Sequence, residues 1–314
     1  MKAAIIDNAG ADAQYGDFAD PEPVEGESKL RMLAAGVHPI VRALAANSHY
    51  GGEGVHPLVP GVDCVARSQD GVARYAGAVR APWGTMAENV AARIGLALPD
   101  GADPVSVAGT LNPGISSWLP LTARAREVEA LGTVLVVGAT GVAGRIAVQN
   151  AFALGAERVV GLGRDKDRLA KVEDLGGVPI PLADGPDAVS KALAGTSPSL
   201  VLDYLWGGAA ETVWGALEGR GLEEDDADIL HVEIGTMAGE RASLPGGLLR
   251  SRRFTVRGSG AGSAPMAEIM AALPVFMEKV ASGEVVAPVE VFPLSRVDQA
   301  WAYRGPDRAV VVPD

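Results

Sequence analysis

The sequence predicts an α/β protein that combines a small β-rich domain with a doubly wound parallel sheet. Three observations lead to this prediction. Short apolar segments separated by glycine turns fill residues 1–105. Strand-like and helix-like segments alternate between residues 133 and 258. A turn with three glycines, Gly138-Ala-Thr-Gly-Val-Ala-Gly144, lies between the first strand of that alternation and its first helix.

The N-terminal segments predict a small, strongly bent β-domain. Residues 12–27 are acidic and rich in turn formers, and residues 47–57 have the glycines and histidines of a mobile surface loop. From Pro104 to Trp118 the pattern becomes helical. Before it, the predicted elements are strands at 3–7 and 29–35, a short helix at 41–46, and a turn leading into a strand at 59–66.

Residues 132–168 predict a strand, a glycine turn, a helix, a second strand and a basic turn. Residues 133–137 are β-branched and apolar without polar alternation, as in a strand buried on both faces of a parallel sheet. Apolar positions from Ile146 to Leu154 then give a helix, which Gly155 ends. The second strand is predicted at 159–162.

The glycines Gly138, Gly141 and Gly144 follow one another at three-residue steps. Such glycines allow a tight turn, close approach of a pyrophosphate to the backbone, and close packing of helix against strand. The N-terminus of the following helix offers free N–H groups to a phosphate. Because the pattern lies inside a strand–turn–helix unit, it favours a dinucleotide site over an ordinary turn without ligand.

The residues after the second strand indicate which dinucleotide is bound. NAD sites place an acidic residue there for the ribose 2′-hydroxyl, whereas NADP sites supply arginine for the 2′-phosphate. Here the strand ends at Gly163-Arg164, Arg168 follows, and Asp165 lies one residue past the usual acidic position. We therefore expect NADPH. The alternative is that Arg164 is only a solvated residue at a helix start.

The remainder of the chain continues the alternation and then returns to the first domain. The final strand–helix–strand stretch has no glycine turn of its own, so we expect it to make the first domain discontinuous. An acidic run at 223–228 is most simply a solvated loop. The predicted strands are 178–182, 199–204, 228–234, 255–258, 285–292 and 309–312, and the helices are 188–194, 208–217, 264–282 and 294–303.

Composition excludes several classes of partner. The chain has 314 residues, 48% of them hydrophobic, and a formal net charge of −12, which argues against nucleic acid or an anionic membrane as partner. The one cysteine, Cys64, excludes a disulfide framework and a four-cysteine zinc lobe. No apolar run reaches transmembrane length and no signal peptide is visible, so we expect a cytoplasmic protein.

Several motifs, taken together, resemble the zinc-independent quinone oxidoreductase branch of the medium-chain dehydrogenase/reductase superfamily. They occur in the order typical of that family and span nearly the whole chain. They are Val59-Pro-Gly-Val-Asp63, Gly84-Thr-Met-Ala-Glu88, Asn112-Pro-Gly-Ile-Ser-Ser-Trp118, the stretch 133–144, Leu202-Asp203, and Phe292-Pro-Leu-Ser-Arg-Val-Asp-Gln-Ala-Trp301.

The resemblance implies a GroES-like β-rich catalytic domain from both chain ends, a central Rossmann domain, and a cleft between them. It places the first part of the catalytic domain at 1–105, the NADP-binding domain at 106–260 and the C-terminal part of the catalytic domain at 261–314. It also implies hydride transfer from NADPH to a quinone or an α,β-unsaturated carbonyl. Proteins similar to this one are commonly homodimers joined through their cofactor-domain sheets.

The chain departs from the zinc-dependent members of that superfamily. Those members place histidine in a Gly-His-Glu motif, where this chain has Gly61-Val62-Asp63, and cysteine where Val37 or His38 stands. Catalytic zinc is therefore not expected. Many relatives also have a fourth glycine at the position of Val142.

Candidate cofactor-binding residues follow from the turn and from the resemblance. Ser116 matches a family Thr or Ser near the nicotinamide amide, with a helix N-cap as the alternative. Asn112, one turn earlier, either bonds the cofactor or caps the interdomain helix. Asp203 is the last residue of a predicted strand, and ligands bind at the carboxyl ends of the strands in such a sheet. The complete predicted set is Asn112, Ser116, Gly138, Ala139, Thr140, Gly141, Val142, Ala143, Gly144, Gly163, Arg164, Arg168, Asp203, Gly235 and Thr236.

Two residues are candidates for the catalytic side chain. Tyr50 lies on the glycine-rich loop facing the expected cleft, where a phenol can donate a proton or orient a carbonyl. His38 can do the same. For Tyr50 the alternative is a surface aromatic, and for His38 it is a structural histidine.

Two alternative functions stay open at this point. An enoyl-thioester reductase on the same fold would need a basic groove for the carrier phosphate, and Arg250, Arg252, Arg253 and Arg257 form the one cluster in the sequence, which we interpret as surface. A non-catalytic NADPH-binding protein would bind the nucleotide tightly without turnover.

Overall fold

The computed structural model describes residues 1–219 and 226–314, and it divides into two compact units. The first unit comprises Met1–Pro113 and Pro274–Asp314, and the second comprises Gly114–Leu273. The first three residues of the acidic run at 223–228 lie outside the described residues. None of the helices in the described ranges combines the length and the apolar character that crossing a membrane requires.

Strands and helices follow one another along the described chain as follows. They are β1 (Lys2–Ile5), β2 (Gln14–Asp17), β3 (Ser28–Gly36), α1 (Pro39–Ala45), β4 (Asp63–Arg67), β5 (Ala73–Gly77), β6 (Asn89–Ala92), β7 (Ile94–Ala97), α2 (Pro104–Glu127), β8 (Thr133–Val137), α3 (Val142–Ala153), β9 (Arg158–Gly163), α4 (Lys166–Asp174), β10 (Val178–Pro181), α5 (Gly185–Leu193), β11 (Leu200–Asp203), α6 (Gly207–Leu217), β12 (Asp228–Glu233), α7 (Leu248–Ser251), β13 (Arg253–Gly258), α8 (Met266–Ala281), β14 (Val289–Pro293), α9 (Val297–Ala302) and β15 (Arg308–Val312).

The first unit is built around a sheet to which both ends of the chain contribute. Its strand order is β14-β15-β3-β4-β5-β7, with β6 paired to β3. The C-terminal strand β15 pairs antiparallel with β3 through Val310 opposite Gly36 and Val311 opposite Ala35. The core between this sheet and its helices is aliphatic, with Trp301 as its large aromatic residue.

The second unit contains, in its described residues, a six-stranded sheet with the order β10-β9-β8-β11-β12-β13. Every neighbouring pair in it is parallel. The strand order therefore reverses between β8 and β11, and ligands bind outside the carboxyl ends of strands at such a switch point. All five residues of β8 are buried, as its unbroken apolar sequence predicts.

Some predicted boundaries are wrong for local reasons. Strand β14 begins at Val289 instead of 285, because the Val285 amide still donates to the Lys279 carbonyl at the end of α8 (3.2 Å). The acidic segment predicted as turns contains β2, which pairs antiparallel with β1. The basic segment predicted as a turn leads into helix α4, which begins at Lys166 with Asp165 as its N-cap.

Candidate functional site

The glycine turn after β8 is held tightly against the end of β9. The amides of Gly138 and Ala139 both donate to the Leu162 carbonyl, at 2.9 and 2.8 Å. Gly138 has φ +94°, a conformation that favours glycine. A Cβ at Gly144 would lie 2.2 Å from the Gly138 carbonyl oxygen, so helix α3 approaches the turn closer than any side chain allows.

The N-terminus of α3 is open to an anionic ligand. Gly141 is its N-cap and has no side chain to bond the first amides. The amides of Val142, Ala143 and Gly144 are the first three of the helix and therefore have no carbonyl partner within it. Together with the helix dipole they fit a pyrophosphate. A valine at position 142 does not remove this fit, because the donor is the backbone.

The end of β9 presents a free guanidinium beside a carboxylate that is already used. Arg164 is exposed, and no hydrogen bond or ion pair reaches it from the described residues. The Asp165 carboxylate caps α4 by accepting from the amides of Asp167 and Arg168, both at 3.1 Å. It also pairs with Arg168 Nε at 3.2 Å. Arg168, predicted to bind the cofactor, is thus held by Asp165.

Gly163 is required where β9 meets the glycine turn. A Cβ there would lie 2.3 Å from Thr140 Cγ2, so the Thr140 side chain occupies the space above it. Thr140 and Gly163, both in the predicted set, therefore pack directly on each other.

Asp203 ends β11 at the switch point but does not present a free carboxylate. Its side chain is fully buried. One oxygen accepts from the amides of Leu205 (2.8 Å) and Trp206 (2.9 Å), and the other lies 3.0 Å from His231 Nε2. Both carboxylate oxygens of Asp203 are thus bound within the protein, one by the turn and the other by His231, and the predicted cofactor role of Asp203 stays a prediction.

The loop after β12 is tied to that same turn. The amides of Ile234 and Gly235 donate to the Asp203 carbonyl, and the Ala238 amide donates to the Leu205 carbonyl at 2.7 Å. Thr236 lies on this loop and is exposed. The second unit thus brings the glycine turn, the turn after β11 and the loop after β12 to one edge of its sheet.

Ser116 and Asn112 lie within α2, and this contradicts the N-cap alternatives, since the helix begins at Pro104. Ser116 Oγ is 3.2 Å from the Tyr204 hydroxyl, and burial raises the pKa of Tyr204 to about 12. The Asn112 amide, in the first unit, is half-buried and has no side-chain hydrogen bond within the described residues. The predicted cofactor roles of both stay predictions.

His38 is enclosed in the first unit. Its ring is 1% exposed, and Nε2 lies 3.4 Å from Asp63 Oδ1. Asp63 also accepts from the Tyr75 hydroxyl. Burial lowers the pKa of His38, although the charge of Asp63 acts in the opposite direction. Gly36 leaves room for the ring, because a Cβ at Gly36 would lie 2.4 Å from His38 Nε2. This burial favours a structural histidine over the catalytic prediction.

Tyr50, the other catalytic candidate, lies on the surface of the first unit. It is 76% exposed and its ring centroid is 4.1 Å from that of His49. Its catalytic role stays a prediction.

Potential metal ligands are not grouped in the described ranges. No set of three or more His, Cys, Asp or Glu residues there is arranged to hold a metal ion. Cys64 is fully buried, which raises the pKa of its thiol, so it is not a ready thiolate ligand.

Sequence reasoning missed three residues of this region: Tyr204, Leu205 and His231. The motif Leu202-Asp203 marks the strand end, but nothing in the sequence shows that the next two side chains turn towards Ser116 and Gly138. A Cβ at Gly138 would lie 3.1 Å from Leu205 Cγ. His231 lies on β12 and is the partner of Asp203 at the end of β11.

Comparison with known proteins supports the resemblance. A scan against models of protein families finds no match. A protein of Emericella nidulans, named a probable NADPH-dependent quinone reductase, is 30% identical over 100% of both chains. This degree of identity over the full length indicates common family membership.

Solved structures share the fold. A quinone oxidoreductase from Thermus thermophilus, also solved in complex with NADPH, superposes with a TM-score of 0.81, at 24% identity, over 99% of this chain and 100% of the other. An alcohol dehydrogenase superfamily protein from Novosphingobium aromaticivorans gives 0.82 at 21% identity over 100% of both chains. A mycobacterial quinone oxidoreductase gives 0.80 at 20% identity, again over 100% of both chains.

The strand order, the glycine turn and the full-length relative define the class: the chain belongs to the medium-chain dehydrogenase/reductase superfamily. The predicted fold class, a β-rich domain with a doubly wound Rossmann domain, is confirmed. Within the superfamily, the chain falls in the quinone oxidoreductase-like branch.

Proposed function

We propose that this protein is an NADPH-dependent oxidoreductase that reduces a quinone or an α,β-unsaturated carbonyl without zinc. The proposal rests mainly on which of the two charged side chains after β9 is already bonded within the protein. Arg164 is free for a 2′-phosphate, whereas Asp165, the acid that could accept from a ribose hydroxyl, is committed to α4 and Arg168. The name of the Emericella relative supports the same cofactor and substrate class.

The glycine turn would hold the cofactor by its pyrophosphate. The amides at the start of α3 donate to the phosphate oxygens, and the absent Cβ atoms at Gly138, Gly141 and Gly144 let the backbone approach. Arg164 would pair with the 2′-phosphate. Gly235 and Thr236, on the loop after β12, would lie next to the nicotinamide. When bound, NADPH supplies the hydride, so the protein's task is orientation and exclusion of water.

The acceptor needs little acid–base help from the chain. An enone accepts hydride at its β-carbon and a proton at its α-carbon, and a quinone oxygen can be protonated by water. The zinc-free part of the proposal rests on the donor set. Position 62 is Val where zinc-dependent members have His, and Asp63 already accepts from Tyr75.

The four arginines that an acyl carrier would require are engaged elsewhere. Three of them donate to backbone carbonyls: Arg250 to Gly246, Arg252 to Leu217 and Arg253 to Ala227. The fourth, Arg257, pairs with Glu127 at 3.6 Å. This arrangement favours a quinone or an enone over an enoyl-thioester as the substrate.

The first experiment is a binding and turnover panel. We expect the purified protein to bind NADPH and to oxidise it with 1,2-naphthoquinone or a simple enone, but not with an enoyl-CoA. Treatment with a chelator should leave the rate unchanged, and metal analysis should find no stoichiometric zinc. Binding without turnover on any acceptor would support the non-catalytic alternative, and one zinc per chain would refute the zinc-free assignment.

Tyr50 is tested by its conservative replacement. If the phenol donates the proton at the α-carbon, Tyr50→Phe lowers turnover on enones by on the order of 100-fold and leaves quinone turnover unchanged. The matched control is Tyr15→Phe, since Tyr15 is also exposed and lies in β2. An unchanged enone rate removes Tyr50 from the mechanism.

The domain roles and assembly belong to the same proposal. The second unit is the cofactor domain and the first is the substrate domain. We propose a homodimer in which two copies of the edge strand β13, which pairs with β12 on its other side, lie next to each other. A monomeric mass by light scattering would contradict this. A cytoplasmic location also stays a prediction.

A further inference from the structure

A buried chain of hydrogen bonds runs from α6 through β12 to the end of β11. Trp214 Nε1 donates to His231 Nδ1 at 3.2 Å, and His231 Nε2 lies 3.0 Å from Asp203 Oδ2. All three side chains are fully buried. None of them is used in the cofactor contacts proposed above.

The tryptophan fixes which nitrogen of His231 carries the proton. An indole N–H can only donate, so Nδ1 of His231 must be the acceptor in this contact. The proton of the neutral ring is then on Nε2, where it is donated to Asp203. One histidine thereby links an indole donor to a carboxylate acceptor with both ring nitrogens satisfied.

The other oxygen of Asp203 shapes the turn that follows β11. It accepts from the amides of Leu205 and Trp206. Trp206 has φ 55°, a conformation that costs a residue with a Cβ free energy and persists only where the surroundings impose it. Since His231 orients the Asp203 carboxylate, His231 helps to impose this turn.

That turn supports the other two parts of the proposed nucleotide site. Leu205 packs on Gly138, where a Cβ would lie 3.1 Å from its Cγ. The Leu205 carbonyl accepts from the Ala238 amide on the loop after β12, and the Tyr204 hydroxyl lies 3.2 Å from Ser116 Oγ. A shift of residues 204–207 would therefore move the glycine turn and the loop together.

We propose that His231 is a positioning residue for cofactor binding: with Trp214 it aims the Asp203 carboxylate at the turn that holds the nucleotide-binding loops in register. The proposal rests on the proposed function, because it assigns the loops to NADPH. It differs from a purely structural role by predicting a selective loss of NADPH affinity. The acceptor reaction, once NADPH is bound, stays nearly unchanged.

The test compares two replacements of His231 in the full-length protein. We expect His231→Leu to raise the Kd and KM for NADPH about tenfold, with kcat within about twofold of wild type, because one hydrogen bond to a charged group is lost. His231→Gln keeps an amide donor towards Asp203 and a carbonyl acceptor towards Trp214, and should restore most of the affinity. Phe254→Leu is the control, since Phe254 lies in the same core 6.1 Å from the His231 ring and should leave the Kd unchanged.

The possible results separate the positioning role of His231 from the proposed function. His231→Leu with wild-type NADPH affinity overturns the positioning role while leaving the proposed function intact. Wild-type protein that binds neither NADPH nor NADH overturns both. Should His231→Leu fail to fold, nitrogen NMR of the wild-type histidine rings decides: a proton on Nδ1 of His231 would refute the chain of donors described above, and a proton on Nε2 together with weaker NADPH binding by Trp214→Phe would support it.

Discussion

Replacing Arg164 by alanine is expected to abolish discrimination between NADPH and NADH. An arginine–phosphate contact is a charge-assisted, often bidentate interaction, and its loss should weaken NADPH about 10- to 100-fold. NADH affinity should change little, since NADH has no 2′-phosphate for the guanidinium to bind. Arg164 has no partner among the described residues, so its removal leaves no buried group unsatisfied.

The measurement is the dissociation constant of each nucleotide for both proteins, at fixed salt because the contact is ionic. Lys171→Ala is the matched control: Lys171 is a cation on the neighbouring α4 that pairs with Asp174 at 3.1 Å. Its removal should leave both constants unchanged. Equal weakening of NADPH and NADH by Arg164→Ala would show that the arginine does not read the 2′-phosphate.

The second large effect is expected from Gly144→Ala. The added methyl would lie 2.2 Å from the Gly138 carbonyl oxygen and 2.6 Å from Ala139 Cα, both of them backbone atoms. Those atoms cannot swing aside, because the amides of Gly138 and Ala139 are bonded to the Leu162 carbonyl. Helix α3 must therefore move away from the turn. We expect a loss of about 1–3 kcal/mol in the free energy of unfolding and loss of measurable NADPH binding.

Gly208→Ala provides the comparison for Gly144→Ala. Gly208 lies in α6, and a Cβ there meets nothing within 4 Å. Alanine should leave nucleotide affinity unchanged and stabilise the helix by up to about 1 kcal/mol. Denaturant unfolding and NADPH titration of both variants check the pair. A Gly144→Ala protein that binds NADPH as well as wild type would mean that the close helix contact has no part in the site.

The sequence was most informative where local pattern decides the structure. Strand β8 has the predicted bounds, and Gly155 ends α3 with φ 88° as expected. These features need only a continuous apolar run, a glycine pattern and a helix stop, all of which are contiguous in the chain. The fold class follows from their repetition, and it was confirmed.

Other parts of the site depend on residues that are far apart in sequence. Nothing local to Ser116 shows that it faces Tyr204. Because α2 begins at Pro104, Ser116 lies in the middle of the helix and not at its N-cap. Asp203 was correctly placed at the sheet edge, but its partner His231 comes from another strand. Such pairings require the register of β11 against β12, which a single sequence does not provide.

The close packing of Thr140 on Gly163 limits how cofactor preference can change. Any side chain at Gly163 would meet the Thr140 methyl at 2.3 Å. An acid at 163 therefore needs a second substitution, to a smaller residue at 140, whereas Arg164 is exposed and can change by itself. Selection acting one mutation at a time would then alter the nucleotide preference through position 164 and leave the glycine beside it unchanged.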